Sequence, residues 1–188
     1  MVTVSTSKAY HHGDLRSALV EAGLKALESQ DIGDISLRQL AREVGVSPTA
    51  VYRHFPDKSA LLQALAKAGI DQMALWQQRA ATYAQGGEAF AATGRAYVRW
   101  ALANPALFRL AFGRCEQVGP TVFGDNEAAR MLRNHALHQT GSEAGAQRLM
   151  IQAWAVVHGL AMLMLDGQLP KNDALIDQVV DASTLFPA

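Results

Sequence analysis

A run of hydrogen-bond donors follows a short helical signal near the first quarter of the chain. Hydroxyl, phenol, guanidinium, imidazole and ammonium groups occur close together there, and the apolar pattern around them requires none of them: Ser47, Thr49, Tyr52, Arg53, His54 and Lys58. Side chains of these types bind the phosphate oxygens and the base edges of nucleic acids. The segment therefore predicts recognition rather than catalysis.

Two short helices joined by a tight turn would position these donors. Ser36 is a good N-cap, and the residues after it form one apolar stripe at helical spacing: Leu37, Leu40, Ala41 and Val44. Gly45 can end this helix in a left-handed conformation. Ser47 then caps a second helix, with Pro48 at its first position. The pattern predicts a helix-turn-helix, whose second helix enters the DNA major groove.

The spacing also assigns roles within the segment. Thr49 and Ala50 lie at the start of the second helix, where short side chains allow contact with base edges. Phosphate contacts are expected from a second group of residues: Arg38, Ser47, Tyr52, His54 and Lys58. Arg53 could serve either role. An ordinary helical hairpin could share the turn, but the polar face left over favours DNA binding.

These residues resemble the TetR-type transcriptional regulators. The resemblance rests on residues 10–16, 37–41, 45–47 and 51–58, which read YHHGDLR, LRQLA, GVS and VYRHFPDK. Residues 154–160, WAVVHGL, are similar to the motif of a TetR subgroup called the WHG domain. The resemblance implies a homodimeric, all-helical repressor that binds operator DNA and responds to a small-molecule effector.

Composition agrees with a globular protein. The chain has 188 residues, of which 49% are apolar and 18% charged, and its net charge is zero. The single cysteine, Cys115, cannot form an intrachain disulfide, and the longest apolar run, Ala153–Leu165, is interrupted by His158 and Gly159. We therefore expect a cytoplasmic protein with no membrane segment.

Helical periodicity continues to the end of the chain and predicts an all-α fold of about nine helices. Residues 1–56 would form a three-helix DNA-binding head. Residues 57–188 would form an effector-binding and dimerisation domain, joined to the head by a long fourth helix. The expected helices outside the helix-turn-helix are Asp14–Ser29, Asp57 to about Ala81, Glu88–Ala103, Pro105–Phe112, Pro120–Gln139, Ser142–Asp166 and Asn172 to near Leu185.

Large, soft side chains in the second half predict an apolar effector pocket. The expected lining is Trp100, Phe108, Phe112, Met131, His135, Trp154 and His158. Such residues are also typical of a plain core, and His158 could simply hold the eighth helix in place. The ligand would be small and mainly apolar, unless Arg95 or Arg99 points inward and accepts a carboxylate.

The last two long helices offer apolar faces for a dimer. Leu149, Ala153, Val156 and Leu160 share one expected face of the eighth helix, and Leu175, Val179 and Leu185 one face of the ninth. We expect these two helices to form a four-helix interface with a second copy.

Other classes of protein have weaker support. His135, His138 and His158 could meet at a metal, but no Cys or acidic cluster completes a ligand set. No nucleophile elbow, phosphate loop or paired-carboxylate pattern is present, so we expect neither an enzyme nor a cofactor. The alternatives are a helical ligand-binding or dimerisation module without operator binding, or a small helical enzyme.

Overall fold

The computed structural model describes residues 15–84, 88–113 and 127–181. These ranges contain helices and no strand, which confirms the predicted all-α fold. The helices are α1 (Leu15–Leu27), a short 3-10 helix η1 (Ile32–Asp34), α2 (Leu37–Val44), α3 (Pro48–His54), α4 (Lys58–Tyr83), α5 (Ala89–Ala103), α6 (Pro105–Phe112), α7 (Glu127–Thr140), α8 (Glu143–Leu165) and α9 (Asp173–Val179).

Contacts divide the chain into two compact units, Met1–Leu65 and Ala66–Ala188, and the division falls inside α4. In the first unit, α1, α2, α3 and the start of α4 surround one apolar core. Its fully buried side chains are Leu19, Leu40, Ala41, Val51, Phe55, Leu61 and Leu65. Gly23 allows α4 to approach α1, because a Cβ on Gly23 would lie 2.8 Å from Cδ2 of Leu65.

The second unit is built on α5 and α8, which pack along each other, with α6 beside α5 and α7 beside α8. Trp100, Val98 and Ala101 of α5 and Phe108 and Leu110 of α6 are completely buried. A smaller apolar cluster joins α7 to the start of α8 through Ala136, Ala146, Leu149 and Met150. The core of this unit is therefore continuous apolar packing around two long helices.

Helix α9 is held against α5 by shape and by charge. Val180 fits against Gly94, where a Cβ would come within 2.7 Å of Cγ1 of Val180. Arg95 and Arg99 of α5 then form ion pairs with Asp173 and Asp177 of α9, the shortest being 2.7 Å between Arg99 and Asp177. These contacts fix a helix of seven residues that would be too short to be stable alone.

Besides Ser36 and Ser47, the sequence predicts N-caps at Asp14, Asp57, Ser142 and Asn172, and Asp14 lies outside the described residues. Four of the other five predicted caps are confirmed. The side chains of Ser47, Asp57, Ser142 and Asn172 accept backbone hydrogen bonds at helix starts. Ser36 lies at the predicted N-cap of α2, but its hydroxyl makes no capping bond, so that detail of the prediction was wrong.

One predicted helix end also differs, because α9 ends at Val179 rather than near Leu185, which lies outside the described residues. Residues 120–126, where the seventh helix was expected to begin, also lie outside them, so its predicted start is not tested.

The prediction for the face of α8 was wrong for three of its four residues. Leu149, Ala153 and Leu160 were expected to point toward a second copy, but they are buried within the protomer, whereas Val156 is half-buried. The outward face carries Ile151 and Leu163, which are 47% and 40% exposed, with Ala155 and Gly159 between them. The error arose because α8 is apolar on nearly all sides, so periodicity does not reveal which face enters the core.

Helix α8 is also long and apolar enough, by length and composition only, to cross a membrane. The length and hydropathy of α8 were not recognised from the sequence, because His158 and Gly159 interrupt its apolar run. The core helix of a water-soluble domain passes the same test, and α8 places much of its apolar surface in the core of the second unit.

Gly94→Ala should destabilise the protein, because the new methyl group would overlap Val180 and approach Val157 at 3.2 Å. Overpacking of this kind costs about 1–3 kcal/mol, partly offset by the better helix propensity of alanine. Thermal or urea unfolding measures the change. Gly33→Ala is the control, since its Cβ would meet nothing within 4 Å. Equal stability of the two variants would contradict the close packing of Val180 against Gly94.

Candidate functional site

The exposed surface of the first unit centres on α3. Val51 faces inward and is 0% exposed, which fixes the rotation of this short helix. Thr49, Tyr52 and Arg53, spaced three and four residues apart, are all exposed on the outer side. Ala50 and His54 are half-buried beside them. The structure thus brings the predicted base-reading and phosphate-binding residues of α3 onto one side of the unit.

The turn before α3 sets the angle at which this helix is presented. Gly45 has φ 77°, a left-handed conformation that costs glycine little, and its N–H bonds back to the end of α2. Val46 N–H donates to the carbonyl of Ala41 at 2.9 Å. The hydroxyl of Ser47 accepts from Ala50 N–H at 3.2 Å, and Pro48 occupies the first helical position. The left-handed Gly45, the Ser47 cap and the position of Pro48 were predicted from the sequence, whereas the hydrogen bond of Val46 was not.

Positive charge lies on both sides of α3. Arg38 and Arg53 are exposed, and neither forms an ion pair within the part of the chain that the structure describes. Lys58 behaves differently, because its Nζ donates to the carbonyl oxygen of Gly33 at 2.6 Å. The ammonium group is therefore already tied to η1 in the absence of DNA, a contact that sequence spacing did not reveal.

An aromatic cluster occupies the second unit where α5, α6 and α8 meet. Phe108, Phe112 and Trp154 surround the ring of His158, with ring centroids 5.3, 5.6 and 4.8 Å away. Trp100 packs edge-on against Phe108. Trp100 and Phe108 are completely buried, whereas Phe112, Trp154 and His158 are only half-buried. The first pair therefore forms core, and the other three line the accessible side of the cluster.

Tyr97 is the member of this cluster that the sequence analysis missed. Its hydroxyl lies 2.9 Å from Nδ1 of His158, and its ring packs against Phe108 and Phe112. Burial raises the pKa of Tyr97 well above its ordinary value, and burial lowers the pKa of His158. The sequence offered one signal for the role of Tyr97. This residue lies three positions before Trp100 on a helix that must enter the core, and a buried tyrosine needs a partner for its hydroxyl.

Trp154 adds a second polar atom to the cluster. Its indole Nε1 is buried and makes no hydrogen bond of ordinary geometry. Within the described residues this N–H is therefore an unsatisfied donor.

The two predicted lining residues on α7, Met131 and His135, are not among the residues described above for the aromatic cluster. His135 stacks on Phe90 with ring centroids 3.9 Å apart and planes at 4°. Burial, and secondarily the charge of His138, lower the pKa of His135. Met131 is half-buried on the same helix. Within the described ranges no group of three or more metal-binding side chains occurs.

A separate open cleft of about 320 Å³ lies between α4 and α5. Its lining consists of Trp76, Arg79, Ala80, Ala92, Arg95, Ala96 and Arg99. Arg95 pairs with Glu88 at 2.9 Å and more distantly with Asp177 at 3.8 Å, and Arg99 pairs with Asp173 and Asp177. Both arginines line this cleft rather than the aromatic cluster, and both already have carboxylate partners.

Comparison with known proteins gives two family matches. Residues 19–65 match the family described as bacterial regulatory proteins, tetR family. Residues 90–183 match the family described as tetracyclin repressor-like, C-terminal domain. The second match alone covers half of the chain.

Similar solved structures cover nearly the whole chain. A protein of unknown function from Rhodococcus sp. RHA1 is 34% identical, with 95% of each chain covered and a TM-score of 0.73. A TetR family transcription regulator from Marinobacter aquaeolei is 20% identical, with 89% of this chain and 92% of that one covered and a TM-score of 0.64. NalD from Pseudomonas aeruginosa, the secondary repressor of the MexAB-OprM multidrug efflux pump, is 18% identical, with 94% and 96% covered and a TM-score of 0.54. The last two show likeness of fold alone.

The free energy of unfolding should fall as the pH is lowered below about 6.5, the ordinary pKa of histidine. Burial lowers the pKa of His135 and His158 in the folded protein, so below that pH the unfolded chain binds more protons and gains stability relative to the folded state. Tyr97 is the titratable group that faces His158. Urea unfolding between pH 7.5 and 5.5 measures the effect. His158→Gln should flatten the pH dependence, and His54→Gln, in the other unit, serves as control. An unchanged slope for His158→Gln would contradict the assignment.

Proposed function

The chain belongs to the TetR family of DNA-binding transcription regulators, and from that premise we propose that it is a homodimeric repressor. A small, mainly apolar ligand would release it from its operator. Residues 1–56 would bind DNA, and residues 57–188 would bind the ligand and the second copy. We further propose that it acts in the cytoplasm and has no catalytic activity of its own. Placement of the second domain in the WHG subgroup is part of the proposal and rests on the motif at residues 154–160.

One observation carries the proposal that the first unit binds DNA. Helix α3 buries Val51 and leaves Thr49, Tyr52 and Arg53 exposed on the opposite side. This polar face makes no hydrogen bond or ion pair within the described residues of its unit, and the helix follows a Gly45 turn, which supports insertion into the major groove. Arg38 and Arg53, which form no ion pair in the same described residues, add attraction for phosphate.

Roles within this surface follow from reach and position. Thr49 and Ala50 would contact base edges, since their short side chains allow the start of α3 to come close to the bases. Arg38, Ser47, Tyr52, His54 and Lys58 would bind phosphate, and Pro48 would keep the start of the helix rigid. Arg53, which is exposed and unpaired within the described ranges, could reach either target.

Selection of binding sites from random double-stranded DNA tests the function directly. A two-fold dimer should enrich an inverted repeat whose half-sites face the same side of the duplex, about 34–36 Å or a multiple of that apart. Failure to enrich any sequence would overturn the proposal and favour a helical ligand-binding or dimerisation module. Enrichment of a single half-site would keep DNA binding and overturn the dimer.

Lys58→Ala should weaken binding to the selected operator and to random DNA by similar factors. A phosphate contact carries no sequence information, and its loss should reduce the salt slope of log K by about one unit. Because Lys58 also bonds to Gly33, thermal unfolding must show that the variant remains folded. Lys67→Ala removes the same charge from the same helix, where it pairs with Asp71, and serves as control. Lost discrimination between sequences with an unchanged salt slope would contradict the assignment.

The dimer is proposed to form through α8 and α9. The corrected face of α8 carries Ile151, Ala155, Gly159 and Leu163, and neighbouring α9 contributes the half-buried Leu175 and Val179. A methyl group on Gly159 would meet nothing within 4 Å in the protomer, so this face has room for a closely approaching helix. Exposed apolar side chains around small residues favour helix–helix association between copies.

Ile151→Glu should convert the dimer into a monomer, because a carboxylate would be buried at the centre of the proposed interface. Light scattering after size-exclusion chromatography at micromolar concentration measures the mass, and operator affinity should fall with it. Leu75→Glu changes another exposed aliphatic side chain, 51% accessible and on α4, and should leave the dimer intact. A dimeric Ile151→Glu protein would move the interface elsewhere.

The effector is proposed to bind at the accessible side of the aromatic cluster. Phe112, Trp154 and His158 are the half-buried side chains that a ligand could contact, and Trp100 and Phe108 form the floor beneath them. Met131 and His135 on α7 extend the proposed lining. Since this lining has no formal charge at neutral pH, a neutral and mainly apolar ligand fits it best. An enzyme remains the weaker alternative, because a tyrosine and a histidine alone complete no catalytic set.

A further inference from the structure

The hydrogen bond between Tyr97 and His158 has a direction that the surrounding groups determine. The hydroxyl of Tyr97 lies 2.9 Å from Nδ1 of His158. In the described part of the chain the tyrosine has no other acceptor for its proton. Nδ1 is therefore the acceptor to which the tyrosine gives its proton.

This direction fixes the tautomer of His158. Burial favours the neutral ring, so Nδ1 acts as an acceptor and the single ring proton resides on Nε2. Nε2 has no hydrogen-bond partner within the described residues. Phe108, Phe112 and Trp154 pack around the ring and offer no acceptor oxygen. A half-buried histidine is thus left with one oriented, unused donor.

We propose that Tyr97 holds His158 as the Nε2–H tautomer, so that the site selects neutral ligands that carry a hydrogen-bond acceptor, such as a ketone, ester or amide carbonyl, on an apolar or aromatic body. His158 is the residue that contacts the ligand, and Tyr97 is a positioning residue. This inference rests on the proposed role of the aromatic cluster as the effector site.

Other ligand chemistries fit the cluster less well. An ammonium group has no lone pair to accept the proton of Nε2, and its positive charge is repelled by the partial positive charge of that N–H. A carboxylate would need a buried counter-charge, and Arg95 and Arg99 are already paired with α9. A pure hydrocarbon would leave the Nε2–H without a partner and cover it from water, which is costly. A carbonyl group satisfies the donor without introducing charge.

Nitrogen-15 NMR of histidine-labelled protein tests the tautomer without any ligand, and His158→Gln assigns the resonances. Wild-type His158 should show a protonated Nε2 and an unprotonated, hydrogen-bonded Nδ1 at neutral pH. Tyr97→Phe should shift Nδ1 toward the value of a free acceptor nitrogen, whereas Tyr83→Phe, which removes an exposed hydroxyl, should change nothing. A proton on Nδ1 in the wild type would overturn the inference and leave the proposed function untouched.

A matched pair of probes tests ligand selection. Acetophenone and ethylbenzene share one carbon skeleton and differ in a carbonyl group in place of a methylene, and chemical shifts of methyl-labelled protein report their binding. Acetophenone should bind roughly three- to tenfold more tightly after correction for its lower hydrophobicity, as expected for one hydrogen bond. His158→Phe should abolish that difference. Equal corrected affinities of the two probes for the wild type would overturn the selection of hydrogen-bond acceptors, but not the effector site. If neither probe binds, both the selection and the proposed effector site are overturned.

Discussion

The orientation of α3 depends on one small apolar contact. Seven residues cannot hold a helix in water, so α3 exists because Val51 is buried against the first unit and because Gly45 and Ser47 end one helix and begin the next. Phe55, buried at the C-cap, fixes its other end. Since Val51 makes this contact from the inner side of α3, the exposed residues on its outer side are not part of the apolar core. Because the core of the unit uses only the inner side of α3, the outer side is available for DNA binding.

The second unit has an extensive buried apolar core, although Ile151 and Leu163 remain exposed on α8. Trp100, Phe108 and Leu110 are completely buried, and α9 is fastened by Gly94 and by two arginines. In that setting a tyrosine, a histidine and an indole N–H are unusual, since each buried polar group must find a partner. Tyr97 and His158 satisfy each other, while Trp154 and one nitrogen of His158 are left over. These two polar groups without partners in the described residues, rather than the number of aromatic rings, distinguish the cluster from ordinary core.

Local features were predictable from the sequence, and long-range ones were not. The Gly45 turn, the caps at Ser47 and Asn172 and the bounds of α6 depend on neighbouring residues, so residue types and spacing were enough. The contact between Lys58 and Gly33 and the pairing of Tyr97 with His158 join residues far apart in the chain. The faces of α8 were misassigned because a helix that is apolar all round carries no sign of its orientation. Placement of Trp100 in the core likewise depends on which helices surround it.

Helix α8 joins two proposed functions through its geometry. At 100° per residue, Trp154 and His158 lie between the arc buried in the core, which includes Ala153, Val157 and Ala161, and the outward arc that begins at Ile151. A ligand that contacts Trp154 and His158 therefore touches the same helix that would contact the second copy, next to the interface itself. A ligand shifts an equilibrium only through different affinities for the two states. A small rotation of α8 would change both the exposure of His158 and the packing of Ile151, so one movement would suffice to couple ligand binding to the geometry of the dimer.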